Sequence, residues 1–160
     1  KLTVYRTDRL PNGKPLLHVP MESKGIIYAK VHFDTSCVPQ DLLPYTGLLT
    51  ELLGKLDTDK YSYLELPTIK NQYFGGLSFH NTTIGKEKND YRSFIVVKMK
   101  LLKEDLADCL SVVQNILLNT NFEMLENIRK IISCGGFRKV VFLDSRKSAG
   151  KCIECHKGLC

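Results

Sequence analysis

Apolar residues recur along this chain with two different periods, and the switches between them outline its elements. Residues 44–54 read Pro-Tyr-Thr-Gly-Leu-Leu-Thr-Glu-Leu-Leu-Gly, and Leu48, Leu49, Leu52, Leu53 and Leu56 recur at helical spacing as a wide apolar stripe. Pro44 suits a first helical turn, where a missing N–H costs nothing. Gly54 suits the end, where the chain turns left-handed. Asp41 stands where it can cap this helix. Glu51 lies among the leucines and, read in isolation, is an edge carboxylate reaching water.

On either side the period changes. Leu10-Pro-Asn-Gly-Lys14 is a turn signal and Leu16-Leu-His-Val19 a short strand. Residues 26–33 alternate, so that Ile27, Ala29, Val31 and Phe33 are expected to face a core and Tyr28, Lys30 and His32 the other side. Ser62 followed by Glu65 is a capping-box signature for a second helix, which Pro67 bends or delays. Gly75-Gly76 breaks that helix and opens a strand over residues 77–84. A polar turn leads to the returning strand over residues 91–101, with Phe94, Val96 and Lys98 on one face and Ile95, Val97 and Met99 on the other. Residues 105–118 predict an amphipathic helix with Leu106, Cys109, Leu110, Val113, Ile116 and Leu117 on its apolar side. Residues 122–132 predict another, carrying Leu125, Ile128 and Ile131. The order is strand, strand, helix, helix, hairpin, helix, helix. That is an α+β pattern, an antiparallel sheet with helices packed on one face.

The length of 160 residues fits one domain, or one half of a pseudo-symmetric pair. We expect a single α+β domain over residues 1–132 and, over 133–160, a short, less ordered C-terminal segment or the start of a following stretch; it is basic, cysteine-rich and short of packing residues. No apolar run is long enough for a membrane span, and the first residues lack the apolar core of a signal peptide. Without an initial methionine the sequence reads as a processed chain or an excised piece. The net charge of +6 is spread rather than striped, which reads as a solvated basic surface; neither nucleic acid nor membrane is expected as a partner. Of the six cysteines, Cys37 and Cys109 sit in apolar contexts and read as small core residues. A reducing compartment, cytoplasm or organelle matrix, with free thiols and no secretion, is expected.

Gly25-Ile-Ile-Tyr28, Phe33-Asp34, Leu42-Leu-Pro-Tyr45, Leu48-Leu49, Thr58, Tyr61-Ser-Tyr63, Glu65-Leu66 and Gly75-Gly76, in that order and spacing, resemble the pitrilysin/insulinase family of zinc metallopeptidases. The likeness is to its presequence-protease (falcilysin-like) branch and covers about residues 15–132. In that family an inverted motif, H-x-x-E-H, places two histidines on one helical face to hold zinc, and the glutamate activates a water on the metal. A Gly-Thr or Gly-Ser pair follows the motif closely. With Asp57-Thr58 in that place, the motif falls on Leu48-Leu-Thr-Glu-Leu52. Glu51 alone matches; Leu48 and Leu52 stand at the histidine positions. The resemblance thus implies a pitrilysin-like half-domain of the non-catalytic kind. It would pair with a catalytic half of the parent peptidase, which carries the zinc, while this chain carries no cofactor and no catalytic residue. The enclosed chamber would admit short or unfolded peptides, and the inert half would supply wall, closure surface and substrate contacts. Edge-strand backbone at Gly75, Gly76, Leu77 and Phe79 is the expected peptide contact. A scaffold domain of the same fold, without any peptidase half, is the alternative.

The tail offers competing chemistry. Ser133, Gly135-Gly136, Ser145, Ser148, Glu154 and Gly158-Leu159 loosely match a later stretch of the same branch, with Cys152 and Cys160 where tyrosines are expected. Cys152-Ile-Glu-Cys-His156 also spells the C-x-x-C-H haem-attachment pattern, but the export route and apolar pocket that haem needs are not evident. Cys152, Cys155, His156 and Cys160, with Cys134 in reserve, would equally satisfy a tetrahedral zinc site; unliganded thiols are the favoured reading. No serine lies in a G-x-S-x-G elbow, and no phosphate-binding glycine loop is present.

Overall fold

The computed structural model describes residues 4–87 and 90–134. Strands β1 (Arg6–Arg9) and β2 (Pro15–His18) form a small antiparallel hairpin of their own. Its turn uses Gly13 at φ +78°, and Asn12 Oδ1 accepts from the Lys14 amide at 3.1 Å. Strands β3 (Ile26–Asp34), β4 (Phe74–Glu87) and β5 (Asp90–Leu102) make an antiparallel sheet in the order β3-β5-β4. The helices are α1 (Leu43–Leu52), α2 (Leu66–Tyr73), α3 (Leu106–Leu118) and α4 (Leu125–Cys134). The fold is α+β, as the alternation of periods implies.

Register decides the two faces of the sheet, because residues directly opposite share a face. Ile27, Leu101 and Phe74 line up across the strands, as do Ala29, Met99 and Leu77, and Val31, Val97 and Phe79. This face meets Leu53, Leu66, Cys109, Val112, Val113 and Ile116 from the helices and the turn after α1, and the core lies between. Burying these side chains contributes roughly 1.5–3 kcal/mol for each large aliphatic or aromatic residue. The opposite face exposes Tyr28, Lys30, Ser78, His80 and Lys98, buries Val96 between His32 and His80, and carries no helix among the described residues.

Local signals explain where the elements begin and end. The capping box is formed: Ser62 N–H donates to Glu65 Oε2 at 3.0 Å and Glu65 N–H to Ser62 Oγ at 3.3 Å. The helix proper starts after it, at Leu66, so Pro67 falls in the first turn, where its missing donor is harmless. Gly54 closes α1 at φ +74°. Gly75 forms a bulge at the start of β4, immediately after α2 ends.

Several expectations are corrected. β1 is a strand that alternation does not reveal, since all four of its residues are exposed. Val31 and Phe33 have the predicted parity, but the helices do not reach the far end of β3, and they stay 38% and 43% exposed. Cys37 is exposed rather than core, whereas Cys109 is fully buried. The inner face of α3 is rotated: Val112 and Asn115 are buried, and Leu106 and Leu110 face out. α1 has Leu42, not Asp41, at its N-cap, with no side-chain cap. Helix α4 starts at Leu125, because Asn121 Oδ1 takes the Glu123 amide at 2.8 Å and makes a turn of the preceding residues. The tail motif at Cys152, Cys155, His156 and Cys160 lies outside the described residues, as does the Cys134 side chain.

Candidate functional site

Helix α1 lies along strand β4. At one end Asn81 Nδ2 donates to Thr46 Oγ1 at 2.8 Å; at the other, Gly54 faces the Phe79 ring, which lies 3.5 Å from where a Cβ would stand. The helix that carries Leu48, Glu51 and Leu52 is therefore fixed against the strand that carries Gly75, Gly76, Leu77 and Phe79. The contact falls at Phe79 and Asn81; Gly75 and Gly76 lie farther along the strand, beside Lys100.

Within α1 the three motif positions differ sharply. Leu52 is buried, with 4% of its surface exposed, and Leu48 is half-buried one turn earlier on the same side. Glu51 points outward to water and takes Lys55 Nζ on Oε2 at 3.2 Å, an i,i+4 pair on an exposed helix face. Such a pair is worth a few tenths of a kcal/mol, roughly 0.3–0.5. Aliphatic carbons donate no lone pair, and the one carboxylate is turned away from the leucines. This helix does not fit a zinc ion, and no group of three or more His, Cys, Asp or Glu side chains among the described residues is placed to hold a metal.

Strand β4 is an edge strand, paired with β5 on one side and with no strand on the other among the described residues. Gly75 is closely packed as well as bulged. The Lys100 stem lies over it, with Cδ 3.3 Å from the position a Cβ would take. Beside it a cavity of about 290 Å³ opens, lined by Ile26, Asn71, Tyr73, Gly75, Lys100 and Asp105.

A polar tie that the linear sequence does not reveal holds the loop after α1. Asp59 accepts from Asn115 Nδ2 through Oδ1 and from Asn119 Nδ2 through Oδ2, the latter at 2.9 Å. These bonds, the Asn115 one first, hold the Asp59 carboxyl below the usual carboxylate value. Asn115 is buried, and its Oδ1 has no hydrogen-bond partner among the described residues. Thr58 bridges to Thr120, and Asn121 N–H donates to Asp57 O at 2.8 Å, so the whole loop is laced to the end of α3. The available signal is two asparagines four apart, one in the last turn of α3 and one at its C-cap. Nearby, burial and then Lys55 push the half-buried Lys70 ammonium below its usual pKa. Burial raises the Cys109 thiol, which donates to Tyr73 O at 3.2 Å and serves the core.

These elements define an α+β domain whose first helix is filled with leucines. Residues 2–135 match the family of domains associated with peptidases of metallopeptidase family 16, subfamily C, and the chain belongs to it. Protein HypA of Clostridium perfringens (strain 13 / Type A) is 32% identical over 123 residues, covering 76% of this chain and 13% of HypA. Presequence protease 1, chloroplastic/mitochondrial, of Arabidopsis thaliana is 24% identical over 123 residues, 76% of this chain and 11% of that protein. The mitochondrial presequence protease of Xenopus tropicalis is 22% identical over 120 residues, 74% of this chain and 12% of that protein. The chain thus spans between 11% and 13% of the length of these curated relatives. The resemblance to the presequence-protease branch of the pitrilysin/insulinase family holds. The family match stops at residue 135, so the looser likeness in the tail lies beyond it. No helix of the described residues is long and apolar enough to cross a membrane.

Proposed function

We propose that this chain is the non-catalytic domain of a zinc metalloendopeptidase that degrades short or unfolded peptides, and that it forms wall and closure surface of the peptide chamber. The observation that carries this reading is the packing of α1: Leu52 is built into the core where the zinc motif needs an imidazole, and Glu51 faces water beside Lys55. The zinc and the water-activating chemistry then belong to a catalytic half elsewhere in the parent enzyme. The open outer edge of β4 supports a subsidiary role, in which an extended peptide adds to the sheet along Gly75, Gly76, Leu77 and Phe79. Residues 1–132 act as the unit, with 133–160 a short C-terminal segment or the start of a following stretch. The two presequence proteases carry organelle names, which supports an organelle matrix as the setting, with the cytoplasm as the other reducing compartment.

The test is peptide hydrolysis with the halves separated. The chain alone, supplied with zinc, should leave an unstructured fluorogenic peptide intact. The catalytic half should cleave that peptide faster, or with a lower KM, once this chain is added. Chelator-sensitive hydrolysis by the chain alone would overturn the proposal. A catalytic half indifferent to the chain would overturn the chamber role and leave the scaffold reading.

A further inference from the structure

The open face of the sheet breaks a rule of strand pairing. Lys30 on β3 stands directly opposite Lys98 on β5, and Lys100 follows two residues along β5. On the other side of β5 their partners are Ser78 and Gly76, neither of which offers a negative charge. Arg92 extends the same face at its far end. The face carries one carboxylate among its described side chains, Asp34, which is already engaged by the Ser36 amide at 2.8 Å. Like charges placed directly across a strand pair destabilise it. A local conflict of this kind, on a face that no helix covers among the described residues, is where a functional contact is expected.

We propose that this face is a docking surface for an acidic, Asp/Glu-rich polypeptide segment, seated across Lys30, Lys98 and Lys100. Two observations favour a polypeptide over a single-stranded nucleic acid, which would need free aromatic platforms for its bases. The Tyr28 ring already carries the Lys100 ammonium, 5.7 Å from its centroid. Phe94 is half-buried and meets His32 edge-on at 5.9 Å. Tyr28 stays 58% exposed, but it is a single ring and not the row of platforms that successive bases need. The small residues Gly76 and Ser78 on the β4 side leave a carboxylate room to approach both lysines from above the sheet. In relatives of which the chain spans 11–13%, most of the polypeptide lies outside this domain and is the natural source of such a segment. The inference stands independently of the chamber reading, since it concerns the sheet face remote from α1.

The experiment uses the whole chain and three labelled probes: a short Glu/Asp-rich peptide, a Lys/Arg-rich peptide and a single-stranded oligothymidine of matched length. Fluorescence anisotropy at low and at physiological salt reads the affinities. The acidic peptide should bind, more weakly at higher salt. Lys30→Glu and Lys98→Glu should each weaken it by about tenfold. Each leaves an opposite-charge pair across the strands, so folding is retained. Lys14→Glu, which makes the same change in net charge on the remote hairpin, should stay within about twofold. Absence of acidic-peptide binding, equal losses in all three variants, or tighter oligothymidine binding lost in the same face variants would each overturn the proposal.

Discussion

Lys30 and Lys98 face each other in register across β3 and β5, two like charges on a sheet face with no carboxylate beside them among the described side chains. If this arrangement serves a partner and not the fold, reversing one charge should make the isolated chain more stable. Lys98→Glu converts repulsion with Lys30 into attraction. We expect its melting temperature to rise by about 1–4 °C at low salt. The gain should shrink as the Debye length falls with added salt. A Lys98→Glu variant that melts lower than the parent at low salt would show that Lys98 has a stabilising partner in the fold.

The leucines at the motif positions should be unequal in their tolerance of histidine. Leu52 is buried against the core, and Leu48 is only half-buried. An imidazole at position 52 brings polar nitrogens into an apolar site, at about 1–3 kcal/mol. Leu48→His should cost distinctly less. The double variant should be the least stable of the three and should gain no peptidase activity with zinc, because Glu51 is turned toward Lys55. Urea unfolding of both single variants and a fluorogenic peptide assay check this. A more stable Leu52→His than Leu48→His, or zinc-dependent hydrolysis by the double variant, contradicts it.

Acid should loosen the loop after α1. The Asp59 carboxyl is held below its ordinary value by Asn115 and Asn119, so the folded state releases this proton more readily than the unfolded chain. The contribution is complete at pH values above about 4 and is lost as pH falls through the folded pKa. Glu65, bonded first by the Ser62 amide, and Asp34, bonded first by the Ser36 amide, act in the same direction. Wild-type stability should therefore fall between neutral pH and pH of about 3. Asp59→Asn should be less stable at neutral pH and show a shallower fall. Urea midpoints at the two pH values decide it, and an unchanged slope in Asp59→Asn would remove Asp59 from the account.

The parts of this fold that are legible in sequence are those where burial and period agree. The stripe ending in Leu52, Leu53 and Leu56 is buried, the hairpin faces of β5 have the expected parity, and the Ser62–Glu65 box forms. What alternation cannot say is how far the helices reach. Val31 and Phe33 carry the core pattern yet lie beyond the covered part of the sheet. β1 gives no signal because an exposed strand needs no apolar side. Cys37 and the phase of α3 escape a sequence reading because apolar neighbours along the chain do not fix tertiary cover. At the candidate site, the leucines at positions 48 and 52 and their helical phase are readable directly. The tie from Asp59 to Asn115 and Asn119 is not, because its partners lie 56 and 60 residues apart and polar pairing at that range has no local pattern.

Two glycines with left-handed backbone should respond differently to alanine. Gly54 has φ +74° and Gly13 φ +78°, so an added Cβ strains both, by about 1–2 kcal/mol. At Gly54 the nearest atoms to that Cβ are Phe79 Cε2 at 3.5 Å, Lys70 Nζ at 3.6 Å and Ile116 Cδ1 at 3.9 Å. These are ordinary contacts, so the penalty there is the backbone's and not a clash. The strain nevertheless falls where α1, β4 and α3 meet, and relieving it would displace core residues. A Cβ at Gly13 meets nothing within 4 Å among the described residues, and the glycine lies in the turn of a hairpin whose strand residues are all exposed. Its strain can be relieved by local opening without unfolding the domain. Gly54→Ala should therefore lower the urea midpoint of the whole domain, while Gly13→Ala should leave that midpoint unchanged and raise amide exchange only around the turn. Equal shifts in the two midpoints would mean that the small hairpin and the three-stranded sheet unfold as one cooperative unit.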